Sequence, residues 1–188
     1  MNIATFGNLA VQTVTNPADT ARYLLSVRPK REVLWLAFFL AVVLRCLLQV
    51  LMSQILPGPA GSTASGPDSI ALSLVWFAGI MLFSIVAFFL FGRLLRGVAS
   101  FDDVFALMIW VQFLQIAVLL PTIILAAIVP ALFLMIALAT AVLSFYVTLH
   151  FLNEAHKFGT LWKSFGVILL SAFAAMPFVF AFTPSGPV

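Results

Sequence analysis

Between Val104 and Leu149 the sequence carries no charged side chain. That run is about twice the roughly 20 residues that one helix needs to cross a bilayer's hydrocarbon core, so it must cross and return. Its helix breakers are Pro121 and Pro130. A proline inside a helix removes a hydrogen bond and forces the preceding residue toward extended backbone, so the spacing predicts a tight turn near Ala126 to Pro130 with a helix on each side.

The rest of the chain extends the pattern. Of its 188 residues, 64% are hydrophobic and 8% charged, and the mean hydropathy is +1.20. A water-soluble chain of this size could not cover so much apolar surface. The expected fold is all-α, a polytopic membrane protein with five transmembrane helices over about 33–56, 70–91, 103–125, 130–150 and 165–182. Residues 1–32 form an amphipathic segment before the first span.

Lysine and arginine alternate from loop to loop. Arg22, Arg28, Lys30 and Arg31 precede the first span, Arg93 and Arg96 follow the second, and Lys157 and Lys163 separate the fourth from the fifth. The other loops and the tail after 182 carry none. By the positive-inside rule the N-terminus is cytoplasmic and the C-terminus lies outside, on the periplasmic face if the membrane is a bacterial inner membrane. Trp35, Trp76 and Trp162 fall near span ends, while Trp76 and Trp110 sit deep enough to pack between helices.

In the N-terminal segment Ile3, Phe6, Leu9, Ala10 and Thr13 share one helical face. Asn16 is placed to cap a second helix, with Pro17 at its first position and Asp19 near the positive end of its dipole. That helix stops at Pro29. It either lies on the headgroup surface or leads into the first span. The basic and then apolar pattern of a signal peptide is missing from the first 32 residues, so they read as mature sequence.

Arg45 stands midway along the first span, where a charge costs roughly 2.5 to 3.5 kcal/mol on insertion scales. At about 1.5 Å per residue it lies ~18 Å above the inner end of its helix, and Gln112 and Gln115 lie ~14 and ~18 Å above Asp103. Ser84, Thr140 and Ser171 fall at similar depth, and no carboxylate does. The expected arrangement is a buried polar layer in which Arg45 donates to the amide oxygens of Gln112 and Gln115, with Gln49 one turn along. The layer either fixes helix packing or faces a cavity and holds an anionic lipid, a solute or an acidic group of a partner subunit.

A second polar set gathers at the inner interface. His150, Asn153, Glu154 and Lys157 share a helical face, and Glu154 is expected to pair with Lys157, Arg93 or Arg96. Ser100, Asp102 and Asp103 suit the start of the third span, as caps or as contacts to the basic loops. His156 points away from His150 and no cysteine completes a ligand set, so no metal site is expected. The single cysteine, Cys46, reads as packing within an apolar helix. No intramembrane Ser–His pair or Asp pair supports a protease, no glycine loop or axial histidine pair supports a cofactor, and no basic stripe suits nucleic acid. The chain is expected to be no enzyme and to need no cofactor.

The sequence Gly92-Arg93 through Gly97, then Ser100-Phe101-Asp102-Asp103 leading to Trp110-Val111-Gln112, and His150-Phe151-Leu152-Asn153-Glu154-Ala155-His156 with Phe158, resembles the Yip (Ypt/Rab-interacting protein) family, bacterial branch. With Asn16-Pro17 and the five-span plan the likeness covers nearly the whole chain. For eukaryotic members the resemblance implies binding to prenylated Rab GTPases and roles in vesicle trafficking. Their acidic N-terminal region and Asp-Leu-x-Gly-Pro type motif are missing here, and the nearest Gly-Pro, Gly58-Pro59, lacks its acidic partner. A Rab GTPase is therefore not expected. The expected role is that of a noncatalytic membrane protein, acting in membrane organisation or as an accessory or assembly subunit through helix, lipid or protein contacts. The alternative is a transporter or channel component, built by a homo-oligomer where the small residues Gly79, Ser84 and Ala87 let another helix approach.

Overall fold

A computed structural model describes residues 3–55 and 70–182. The Gly58-Pro59 pair and Asp68 lie outside the described residues. Seven helices are present among them: α1 (Ile3–Thr15), α2 (Pro17–Val27), α3 (Arg31–Ile55), α4 (Ile70–Leu94), α5 (Phe101–Ile128), α6 (Pro130–His156) and α7 (Leu161–Phe182). By length and composition α3, α4, α5 and α6 can each cross a membrane, and α7 supplies a shorter apolar helix at the place expected for the fifth span. Side chains that a soluble protein would bury face outward, among them Leu134, Met135, Leu138 and Val142 on α6 and Val75 on α4. Water would penalise such a surface and lipid accepts it. The chain is a polytopic all-α membrane protein.

Local chemistry explains where the helices begin and end. At α2 the Asn16 side chain accepts from the Asp19 N–H at 3.3 Å, Pro17 occupies the first turn, and Arg28 closes the helix in the left-handed region with φ 42°. At α5 a capping box forms, the Ser100 Oγ accepting from the Asp103 N–H at 3.2 Å and Asp103 Oδ2 from the Ser100 N–H at 2.9 Å. Only Val129 separates α5 from α6. Pro130 holds Val129 extended, and the Val129 N–H donates to the Leu125 carbonyl at 2.9 Å. Pro121 lies inside α5 and does not end it. The helix continues through it, and in the adjoining position Thr122 Oγ1 donates back to the Val118 carbonyl at 2.7 Å.

Helix α5 is the centre of the bundle. Val104, Phe105, Leu107, Met108, Ile109, Trp110 and Val111 are all buried, packed by α3, α4, α6 and α2. Phe105 meets Trp35 and Phe38 of α3 at ring-centroid distances of 5.0 and 5.7 Å. The start of α3, the α4–α5 and α6–α7 connections and α2 gather at one end of the bundle, here the basic end. Arg31 donates to Asp102 there at 3.2 Å, and the Val98 N–H donates to the His156 carbonyl at 3.2 Å.

The N-terminal segment packs as part of the bundle. Helix α2 lies against α6 and α5, burying Pro17, Thr20 and Ala21 and exposing Arg22. The shared face of α1 goes deeper: Phe6 packs on the Trp110 ring with centroids 5.1 Å apart, and Leu9 and Thr13 are buried. Trp110 is nine residues into α5, about 14 Å from its start. Helix α1 has no charged side chain to hold it at the headgroups, so it docks beside α5 at that depth.

Candidate functional site

The helix rise alone brings Arg45, Gln112, Gln115 and Ser84 to one depth, and the fold brings them to one place. They line a cavity of about 390 Å³ between α3, α4, α5 and α6, together with Thr148 and apolar side chains such as Phe77 and Met108. A second cavity, of about 350 Å³, meets Arg45 and Gln115 from the other side. It includes Gln49, Thr122, Thr140 and Ser144, and extends to Met52 and Phe133 toward the end of the bundle opposite the basic end. Arg45 therefore stands where two cavities meet halfway through the helices, each with a few polar groups set in a largely apolar wall.

The expected hydrogen bonds from Arg45 to Gln112 and Gln115 are not formed. Arg45 and Gln112 have no hydrogen-bond or ion-pair partner among the described residues. Gln115 instead turns its amide to α6, where Nε2 donates to Ser144 Oγ at 3.1 Å. Depth was derivable from sequence, but the direction each side chain takes around its helix axis was not. The amide that shares a level with Arg45 is drawn to the hydroxyl on the neighbouring helix.

At the basic end the pairing also differs from expectation. Glu154 Oε2 accepts from Arg22 Nε at 3.2 Å, and the same arginine donates through Nη1 to Asp19 Oδ1 at 2.7 Å. Lys157 is not its partner, because it adopts φ 52° as the left-handed cap of α6 and leaves the helical face of His150, Asn153 and Glu154. Arg93 sits over the Phe89 ring at 5.7 Å, and Arg96, with φ 65°, turns the chain out of α4. Asp103 serves the capping box while Asp102 pairs with Arg31, so the two neighbouring carboxylates divide the two expected roles. His150 packs on Tyr146, with ring centroids 4.7 Å apart.

Sequence reasoning missed two features. His156 is almost completely buried, stacked on Phe158 with ring centroids 5.0 Å apart, and a Cβ at Gly92 or Gly97 would fall 2.1 or 2.3 Å from its ring atoms. The two glycines make the slot that the imidazole fills. Among the described residues neither ring nitrogen has a partner in good hydrogen-bond geometry. The other is the bond from Trp110 Nε1 to Thr13 Oγ1, at 3.0 Å, which ties α1 to α5. A tryptophan buried well inside an apolar helix signals that its N–H needs a partner, without naming it.

Among the described residues no group of three or more His, Cys, Asp or Glu side chains could hold a metal ion. The interior offers one cation, several neutral amides and hydroxyls, and a histidine enclosed by glycines. Such groups donate and accept hydrogen bonds and attract negative charge.

Comparison with curated proteins and with solved structures returns no match. The family whose pattern fits the chain is that of the Yip1 domain, matched over residues 11–183. That range begins within α1 and includes every other helix, Arg45 and its cavities, and the whole basic end. This chain, a bundle of apolar helices around a polar centre, belongs to the Yip1 domain family.

Proposed function

We propose that this protein is a noncatalytic membrane component that acts by holding lipids or other membrane proteins, in membrane organisation or as an accessory or assembly subunit. The observation that carries the reading is the character of the bundle interior. Among the described residues its one charge, Arg45, faces amides and hydroxyls, a set suited to binding. A Rab GTPase is not the proposed partner, since Gly58-Pro59 lacks the acidic residue of the Asp-Leu-x-Gly-Pro type motif of eukaryotic relatives.

The proposed setting is a bacterial inner membrane with the N-terminus in the cytoplasm and the C-terminus outside. Of nine Lys and Arg residues, all except Arg45 fall in α2, in the link from α2 to the first residue of α3, or at the α4–α5 and α6–α7 connections and the helix turns beside them, the side that the positive-inside rule assigns to the cytoplasm. The test is purification from native membranes in a mild detergent, with mass spectrometry of what accompanies the chain. A stoichiometric membrane protein supports the reading; recovery alone, without partner or lipid, overturns it.

A second reading, a transporter or channel component, draws on the two cavities that meet at Arg45. Intramembrane ionisable groups facing a cavity mark solute paths in many transporters. Ion or solute flux into liposomes above that of empty vesicles would favour it, and its absence would leave the accessory role.

A further inference from the structure

Among the described residues the charge of Arg45 has no counter-charge at its own level. It lies fourteen residues into α3, about 21 Å from the helix start, and the acidic side chains among the described residues stand at the basic end of the bundle. Asp19 and Glu154 are paired with Arg22, Asp102 with Arg31, and Asp103 with the Ser100 cap. Glu32 is in the first turn of α3, about 20 Å along the helix from Arg45. A guanidinium has only donors to offer, arranged as a fork that matches a carboxylate or phosphate. The amide of Gln112, without a partner among the described residues, and the hydroxyls of Ser84 and Thr148 face the same space.

We propose that the cavity around Arg45 binds an oxyanion, a phosphate or carboxylate group, carried on an anionic lipid or free in solution. The cavity, at about 390 Å³, lies within the range of about 300–1,000 Å³ usual for small-ligand pockets. A bound oxyanion neutralises the guanidinium, and in a low-dielectric interior such charge-assisted hydrogen bonds are strong. Cations are repelled, and a neutral ligand leaves the charge uncompensated. The geometry accommodates both sources of the anion. The wall includes Ile80 of α4, which is exposed at the outer surface of the bundle where lipid lies. The second chamber runs from Arg45 toward Met52 and Phe133, on the side from which a free anion would enter. The inference does not rest on the partner reading above: an oxyanion can bind here whether or not a protein co-purifies.

The test uses the full chain in phosphatidylcholine nanodiscs with two probes. Inorganic phosphate binding is measured by calorimetry, and phosphatidylglycerol binding by the amount retained after a wash in 1 M salt, where the Debye length is about 3 Å and lipids held by exposed cations are released. One probe is expected to bind the native chain and to bind Arg45→Gln about tenfold or more weakly, with Arg45→Lys intermediate and Arg93→Gln unchanged. Phosphate as the responding probe identifies a free anion, and phosphatidylglycerol a lipid headgroup. Binding of neither probe, or equal binding to the native chain and Arg45→Gln, overturns the site. If circular dichroism shows Arg45→Gln unfolded, Gln112→Leu decides: weaker binding of the responding probe sustains the site, and unchanged binding refutes it.

Discussion

Trp110 of α5 donates through its indole nitrogen to the hydroxyl of Thr13 in α1, 97 residues earlier in the chain, at 3.0 Å. Thr13 in turn donates to the Leu9 carbonyl at 2.7 Å, so every polar atom of the pair is satisfied in a buried site. In hydrocarbon an unmade hydrogen bond has no water to replace it. The pair therefore fixes the N-terminal helix to the bundle.

Replacing Thr13 with Val keeps the shape and removes the acceptor. The indole N–H is then buried without a partner, which costs about 1–3 kcal/mol. Thermal unfolding in detergent should show a lower midpoint for Thr13→Val and a near-native one for Thr13→Ser, and limited proteolysis should cut first in the loosened α1. Equal midpoints for Val and Ser would mean that Phe6 and Leu9 alone hold the helix.

The slot for His156 makes a second prediction. A methyl at Gly92 would stand 2.1 Å from Nε2 and one at Gly97 2.3 Å from Nδ1, closer than real atoms approach. Gly92→Ala should destabilise the fold by about 1–3 kcal/mol through overpacking. Because the clash is with the ring, Gly92→Ala combined with His156→Ala should lose less stability than the two single changes added together. Additive losses would place the strain in the α4 backbone.

The capping box offers a third. Asp103→Asn keeps an oxygen to accept from the Ser100 N–H, whereas Asp103→Leu removes it. The Leu variant should lose about 1 kcal/mol, the usual cost of a lost helix cap, and the Asn variant only a fraction of that. Asp102→Asn, at an exposed ion pair with Arg31, should change stability by less than about 1 kcal/mol and by still less in high salt. Chemical unfolding in a fixed detergent compares all three.

Much of the architecture could be read from residue order because membrane helices announce themselves locally. The Asn16-Pro17 start of α2, the Ser100–Asp103 cap and the break before Pro130 each depend on side chains within a few residues, and each is present. Helices α4 and α6 run past the expected spans, to Leu94 and His156, since hydropathy marks the lipid-embedded part of a helix and not its polar overhang, and α5 runs to Ile128 because the turn expected over Ala126 to Pro130 needs only Val129. Glu154 was legible as an ion-pair partner and Arg22 was not, because α2 reaches it only through the tertiary fold. His156 between Gly92 and Gly97 is of the same kind. A glycine pair five residues apart has many uses, and only the approach of α6 selects this one. For Arg45 the helix rise supplied the height of each neighbour, while the turn of each helix about its axis decided that Gln115 would bond Ser144.

The link between α5 and α6 is the single residue Val129. So short a connection cannot span a membrane, and it exposes almost nothing on the far side. The two helices must enter the bilayer together as a hairpin, and neither can reverse its direction without the other. During biosynthesis the central pair thus makes one orientation choice instead of two. The charges beside Phe101 and His156, at the two feet of the hairpin, steer that choice jointly, so a substitution that weakens the signal at one foot leaves the other to hold the topology.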